Sequence, residues 1–238
     1  MKTLLVVGAL LLSTAASGQT APARVYPLAT AEGLRLHNVT VASVTHAGKR
    51  GLRITVADSA RRAIEQLPLN SQAQLETFAL IEGSDFGNGV IEAEIAGEPG
   101  AGAAAGARGF VGIAFRVQPD LKTYDAFYLR PTNGRANDQE RRNHAVQYIS
   151  HPDWPWDRLR RETPSRYESY VDLEPGVWTK IRIEVRGDTA RLFVRGHAQP
   201  VLIVNDVKSG TSARGGIALW INPGTVAHFR EVRVQPAP

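Results

Sequence analysis

Lys180-Ile181-Arg182-Ile183-Glu184-Val185-Arg186, Gly187-Asp188, Thr189-Ala190-Arg191-Leu192-Phe193-Val194-Arg195 alternates apolar and charged residues on both sides of a turn dipeptide. A period of two is the signature of a strand with one buried face, because successive side chains point to opposite sides of a sheet. Ile181, Ile183 and Val185 face one way, and Lys180, Arg182, Glu184 and Arg186 the other. Leu192 and Val194 repeat the inward face, with Arg191, Phe193 and Arg195 outward. Gly187-Asp188 supplies the turn, so the stretch predicts a β-hairpin.

The same signal recurs along the chain. Apolar runs rich in β-branched and aromatic residues predict strands near 34–45, 51–57, 77–82, 88–96, 109–118, 125–131, 144–150, 177–186, 189–195, 201–205, 215–221 and 226–234. Turn residues fill the gaps, as at Gly83-Ser84-Asp85, Asn133-Gly134 and Pro223-Gly224. Residues 58–66 are compatible with a short peripheral helix capped by Asp58 or Ser59. Many short strands without amphipathic helices between them predict an all-β fold, an antiparallel sandwich or barrel rather than a doubly wound α/β sheet. Two stretches break the rhythm. Residues 97–108 hold almost only Gly and Ala and are expected as a mobile loop. Residues 151–173 concentrate Trp154, Trp156, Tyr167, Tyr170 and several Arg, and predict an ordered excursion packed over one edge or face.

Of 238 residues, 43% are hydrophobic, 21% are charged and none is Cys. Stability must therefore come from buried apolar surface, with no disulfide framework and no thiolate metal site. Residues 1–18 read as a secretory signal peptide: Lys2, an apolar run at 4–12, and the small residues Ser13, Thr14, Ala15, Ala16, Ser17 and Gly18. The expected organisation is a tether at 19–31 and a single β-sandwich domain at 32–238, in a periplasmic or secreted protein with no integral membrane segment after signal removal. The formal net charge of +5 reflects an Arg excess. Export makes nucleic acid an unsuitable partner, so the charge points to acidic glycans or anionic surfaces if it is not simply a solubility device.

Several segments resemble the concanavalin A-like lectin/glucanase superfamily and, within it, the 3-keto-disaccharide hydrolase and laminin-G-like domains. They are Asn88-Gly89-Val90-Ile91-Glu92-Ala93-Glu94, Gly112-Ile113-Ala114-Phe115-Arg116, Tyr124-Asp125-Ala126-Phe127-Tyr128, Gly176-Val177-Trp178-Thr179-Lys180-Ile181-Arg182-Ile183, Gly215-Gly216-Ile217-Ala218-Leu219-Trp220 and Val226-Ala227-His228-Phe229-Arg230. The resemblance covers about two thirds of the chain and implies a jelly-roll sandwich whose curved, concave sheet commonly carries the ligand. It implies a carbohydrate partner, with glycoside hydrolysis of the 3-keto-disaccharide type or laminin-G-like docking of a protein as the alternatives. Fold by itself does not choose among these. Phe110-Val111-Gly112-Ile113 stands where hydrolase relatives carry an Asn-Ser-Gly-Ile run.

Three sets of residues carry candidate chemistry. Glu92 and Glu94, two apart on a strand, share a face at roughly 6.5 to 7 Å, within the separations of about 5 to 10 Å that paired glycosidase carboxylates use. The glucanase patterns, Glu-x-Asp-x-x-Glu and Glu-x-Asp-x-Glu, need a third acid that Glu92-Ala93-Glu94-Ile95-Ala96 lacks. Arg116, Tyr128, Arg130 and Gln147 come from three successive strands and, by alternation, face away from Phe115, Phe127 and Leu129. Their donors and the Tyr ring suit a sugar. Trp154 and Trp156 flank Pro155 and would place both rings on one side of an extended segment, as a stacking platform or as anchors. The arginines of this excursion are matched by Asp153, Asp157, Glu162 and Glu168, whereas Arg130, Arg135, Arg141 and Arg142 outnumber Asp138 and Glu140. The histidines His37, His46, His144, His151, His197 and His228 show no metal-ligand spacing, so no metal or cofactor is expected. Structural Ca²⁺ is compatible with the resemblance, although no residues identify a site. Ser-His-Asp chemistry lacks its nucleophile elbow.

Overall fold

A computed structural model describes residues 22–66 and 75–237. Residues 1–21, with the expected signal peptide, lie outside this range. The strands are β1 (Arg24–Tyr26), β2 (Leu34–His37), β3 (Val39–His46), β4 (Lys49–Val56), β5 (Phe78–Phe86), β6 (Gly89–Pro99), β7 (Val111–Val117), β8 (Tyr124–Leu129), β9 (Val146–His151), β10 (Glu168–Ser169), β11 (Thr179–Arg186), β12 (Thr189–Val194), β13 (Leu202–Val204), β14 (Gly215–Ile221) and β15 (Thr225–Pro236). Among the described residues, three short α-helices accompany them, α1 (Asp58–Glu65), α2 (Gln139–Asn143) and α3 (Trp156–Glu162), with a 3-10 turn at Pro131–Asn133.

They form two antiparallel sheets, a β-sandwich. The first runs β13-β12-β11-β6-β15-β4-β3 with β1 also on β15, and the second runs β10-β9-β8-β7-β14-β5-β2. The expected hairpin is present, with Ile183 opposite Leu192 and Arg186 opposite Thr189. Phe193 points outward as the alternation requires, yet it is buried, because the Arg182 guanidinium lies 3.6 Å above its ring. The arginine stem and head cover the apolar surface that the alternation exposes.

Several local expectations differ. Arg24–Tyr26, inside the expected tether, pairs with Val232–Val234, occupying the stretch of β15 that β4, which pairs only at 227–229, leaves open. An unpaired strand edge invites such an addition. Helix α1 forms, but Ala57 occupies its N-cap without a side-chain bond, and Asp58 pairs with Arg61 instead. The Gly-Ala stretch after β6 is held rather than free: Gly100 N–H donates to Gly224 O at 2.9 Å, and Arg108 donates to the Ala105 and Ala107 carbonyls.

The inner faces meet in one apolar core that includes Leu52, Ile91, Ile95, Ile183 and Phe229 from the first sheet and Ile113, Phe115, Phe127 and Leu219 from the second. Gly97 of β6 shows which side of the second sheet faces inward, since a Cβ there would stand 2.6 Å from the Val111 side chain. The Val111-Leu129-Val146 row is therefore internal, and the alternate row faces outward.

Candidate functional site

That outward row crosses almost the whole second sheet in register: Phe78, Trp220, Gly112, Tyr128, Gln147 and Glu168 are successive cross-strand partners. Gly112 sits between two large rings because a Cβ would fall 2.2 Å from the Phe127 carbonyl and 2.6 Å from the Tyr128 Cβ. Its absence lets Tyr128 and Trp220 approach to 4.8 Å between centroids, and Phe110 extends the aromatic surface 5.4 Å from Tyr128.

Arg130, one residue beyond β8, organises the polar end. Its Nη2 donates to the Tyr128 hydroxyl and to Gln147 Oε1, both at 2.9 Å, and its Nη1 donates to Glu168 Oε2 at 2.9 Å. Gln147 donates onward to the Tyr148 and Tyr167 carbonyls. Arg160 Nε of α3 meets the other Glu168 oxygen at 2.8 Å. Burial pushes the Glu168 carboxyl up, but Arg160 and Arg130 outweigh it and hold it below the ordinary carboxylate value. His144, 3.8 Å from Glu168, is pushed down by burial against that carboxylate's pull.

Aromatic rings close over the guanidinium. Arg130 Cζ lies 5.2 Å from the centroids of Phe110 and Tyr128 and 6.0 Å from that of Trp156, which also stacks under Arg160 at 4.8 Å. Trp156 remains 37% exposed, the most accessible ring of the group. On the same outward side, Trp220 Nε1 donates to the Tyr124 hydroxyl at 3.1 Å, and Tyr124 is bonded to Glu76. Glu76 Oε1 lies 2.8 Å from His151 Nδ1. Burial, with the Glu76 charge beside it, raises the Tyr124 phenol well above its ordinary value.

The structure thus gathers Tyr128, Arg130, Gln147 and Trp156 and separates the other candidates. Arg116 is 1% exposed, with φ +56° at the bulge where β14 shifts register on β7. The left-handed backbone breaks the alternation, and the side chain ties loops together through Gly87 O, Asn88 Oδ1, Gly187 O, Ser209 Oγ and Gly210 O. No donor is left for a sugar. Trp154 and Trp156 do not share a side, because Pro155 ends the extended segment and Trp156 starts α3. Trp154 instead bridges to Ser150 and packs between Arg158 at 3.9 Å and Lys208 at 4.5 Å. Glu92 and Glu94 lie on the outward face of the first sheet, opposite the row. Burial raises the Glu94 carboxyl, but the bonds from Lys49 and Arg230 reverse the shift and hold it below its ordinary value, and both of its oxygens are taken up by these two cations.

Sequence reasoning missed Glu168, Arg160 and Phe110 as partners, and Glu76 with His151. Glu168 belongs to a two-residue strand that no periodicity reveals, while Trp220, at the end of a predicted strand, was legible as outward by alternation. Phe110 also forms a wall of a cavity of about 640 Å³, lined by Thr55, Arg61, Ala103, Asn222 and Thr225 among others. That volume lies in the range of small-ligand pockets.

No family model and no curated protein matches the chain. Among solved structures, it superposes on the carbohydrate binding module CBM66 from Bacillus subtilis with a TM-score of 0.54 and 14% identity, over 85% of this chain and 96% of that one. The chain has a concanavalin A-like fold. Two other structures share this concanavalin A-like sandwich: a Bacillus subtilis protein with a galectin-like fold (TM-score 0.50, 12% identity, 91% and 97% covered) and Crh5 transglycosylase in complex with NAG (TM-score 0.52, 14% identity, 93% and 86% covered). Among the described residues, no helix is long and apolar enough to cross a membrane.

Proposed function

We propose that the protein is an exported module that binds a carbohydrate non-covalently on the outward face of the second sheet. The supporting observation is the Arg130 cluster, in which the guanidinium is fixed by Tyr128, Gln147 and Glu168 beneath the exposed Trp156 ring. A pre-set polar network beneath an accessible aromatic plane suits a pyranose, which offers an apolar C–H face and a rim of hydroxyls. Buried Tyr128, Arg130 and Gln147 hold the surface in shape, and Trp156, Phe110 and Arg160 are the groups that meet the sugar. A glycan array followed by calorimetry of wild type and Trp156→Ala tests this: binding that weakens in the variant supports it, and no glycan bound at millimolar concentration contradicts it.

One observation favours a second reading, hydrolysis of the 3-keto-disaccharide type. Glu76, His151 and Tyr124 place a carboxylate, an imidazole and a phenol within hydrogen-bond reach on the same face. Incubation with 3-keto and ordinary disaccharides distinguishes it, since a binding module releases no monosaccharide.

A further inference from the structure

Arginines crowd the corner where β7 begins and β8 ends, and their charge is not balanced. Arg108 leads into β7, its carbonyl accepting from the Thr132 N–H at 3.4 Å. Arg141 lies on α2, where the Asp138 carboxylate is occupied as the cap, accepting from the Arg141 backbone N–H at 2.8 Å. Arg130 completes the group. Burial, followed by the charges of Arg141 and Arg130, pushes the Arg108 guanidinium below its ordinary value.

Neighbouring arginines of the same loop have partners of their own, carboxylates for Arg135 and an uncharged ring for Arg142. Arg135 meets Asp172 at 2.7 Å and Glu174 at 2.9 Å, and Arg142 lies over the Tyr170 ring at 4.8 Å. The buried Glu168 already serves Arg130 and Arg160. Among the described residues, no carboxylate pairs with the Arg108 or Arg141 guanidinium.

A second observation coincides in place. Of the six buried side-chain polar atoms without a hydrogen bond among the described residues, four gather here: Arg130 Nε, Arg141 Nε, Thr132 Oγ1 and Asn133 Oδ1. Arg130 is itself only 4% exposed. Native proteins satisfy nearly all such atoms; Asn133 Oδ1 can only accept, but the two guanidinium Nε atoms donate and Thr132 Oγ1 can, and such donors beside unbalanced positive charge are the complement of an anionic acceptor.

We infer that this corner is a subsite for an anionic substituent of the glycan, a uronate carboxylate or a sulfate ester, held by Arg108 and Arg141 while the sugar ring lies against Phe110 and Trp156. Guanidinium forks match both oxyanions, which a lysine ammonium would meet only as a point charge. The inference rests on the carbohydrate reading and narrows it to acidic glycans.

The test is calorimetry with uronate oligosaccharides, each against its carboxyl-reduced neutral counterpart, and with sulfated oligosaccharides, each against its desulfated form. The expected result is at least one acidic member bound tenfold or more tighter than its neutral partner, which identifies the anion. That preference should fall at least fivefold in Arg141→Gln and persist in Arg135→Gln, which removes the same charge from the same loop outside the corner. Because the acidic-to-neutral comparison uses wild-type protein, it does not depend on how the variants fold. Neutral partners bound as tightly as acidic ones overturn the anionic subsite and leave carbohydrate binding intact. A preference lost equally in Arg135→Gln also overturns it, by reducing the effect to net charge. No binding in any arm overturns both.

Discussion

Arg130 and Glu168 form an ion pair at 2.9 Å in which both side chains are less than 5% exposed. Burying opposite charges is costly, and removing one partner strands the other without water or counter-charge. The pair joins the end of β8 to β10, so the aromatic surface above it inherits its geometry from this contact.

Glu168→Gln is therefore expected to cost about 3 to 5 kcal/mol of stability, read as a lower denaturant midpoint. The pH dependence has a definite sign. Because the folded-state value of Glu168 is depressed, its contribution is present above the unfolded carboxylate range and is lost as pH falls through the folded value. Thermal melts should show a steeper acid loss in wild type than in the variant.

The two excursion tryptophans should separate. Trp154 is packed between Arg158 and Lys208, whereas Trp156 is 37% exposed. Trp154→Ala should cost about 3 kcal/mol of stability. Trp156→Ala should barely move the melting temperature while weakening glycan binding by about 1 to 3 kcal/mol.

Arg116→Gln tests whether that residue is structural. It makes five hydrogen bonds to loops of both sheets, so truncation leaves several buried acceptors unmet, at about 3 kcal/mol or more in total. Glycan affinity, corrected for the folded fraction, should be unchanged. Loss of affinity at full stability would return Arg116 to the site.

His228 gives a second pH signature on the opposite sheet. Stacked on His46 at 3.8 Å between ring centroids, it is pushed down to about 4 by burial, His46 and Arg53. It folds neutral, so stability of about 3 kcal/mol is present above the unfolded histidine value and is lost as pH falls toward the folded one. NMR titration should show the His228 ring unprotonated at pH 5.5, and His228→Gln should flatten the stability profile between pH 6.5 and 4.

The sheets were legible because burial of one face writes itself as a period of two, as in Ile181-Ile183-Val185, and Tyr128 and Gln147 could be placed together by the same count. The rule failed where the backbone leaves ideal geometry. At Arg116 a positive φ redirects one side chain, and nothing in Phe115-Arg116-Val117 announces it. The Arg130 partnership was illegible for another reason: Glu168 lies 38 positions away on a strand of two residues, within a charge-balanced run whose ion pairs read as internal to the excursion. Arg24–Tyr26 shows the converse, since three residues between Pro22 and Pro27 are too short a run to show a period and read as a tether until a vacant strand edge accepts them.

The four tryptophans, Trp154, Trp156, Trp178 and Trp220, provide the most direct test of the binding face. Trp178 lies against His46 and His228 on the first sheet, and Trp220 lies in the outward row of the second. In a titration of ¹⁵N-labelled protein with the tightest-binding oligosaccharide, the indole N–H resonance of Trp156 should shift most and that of Trp220 measurably, with Trp178 unmoved. A shift at Trp178 with Trp156 unchanged would place the ligand on the opposite sheet and contradict the account.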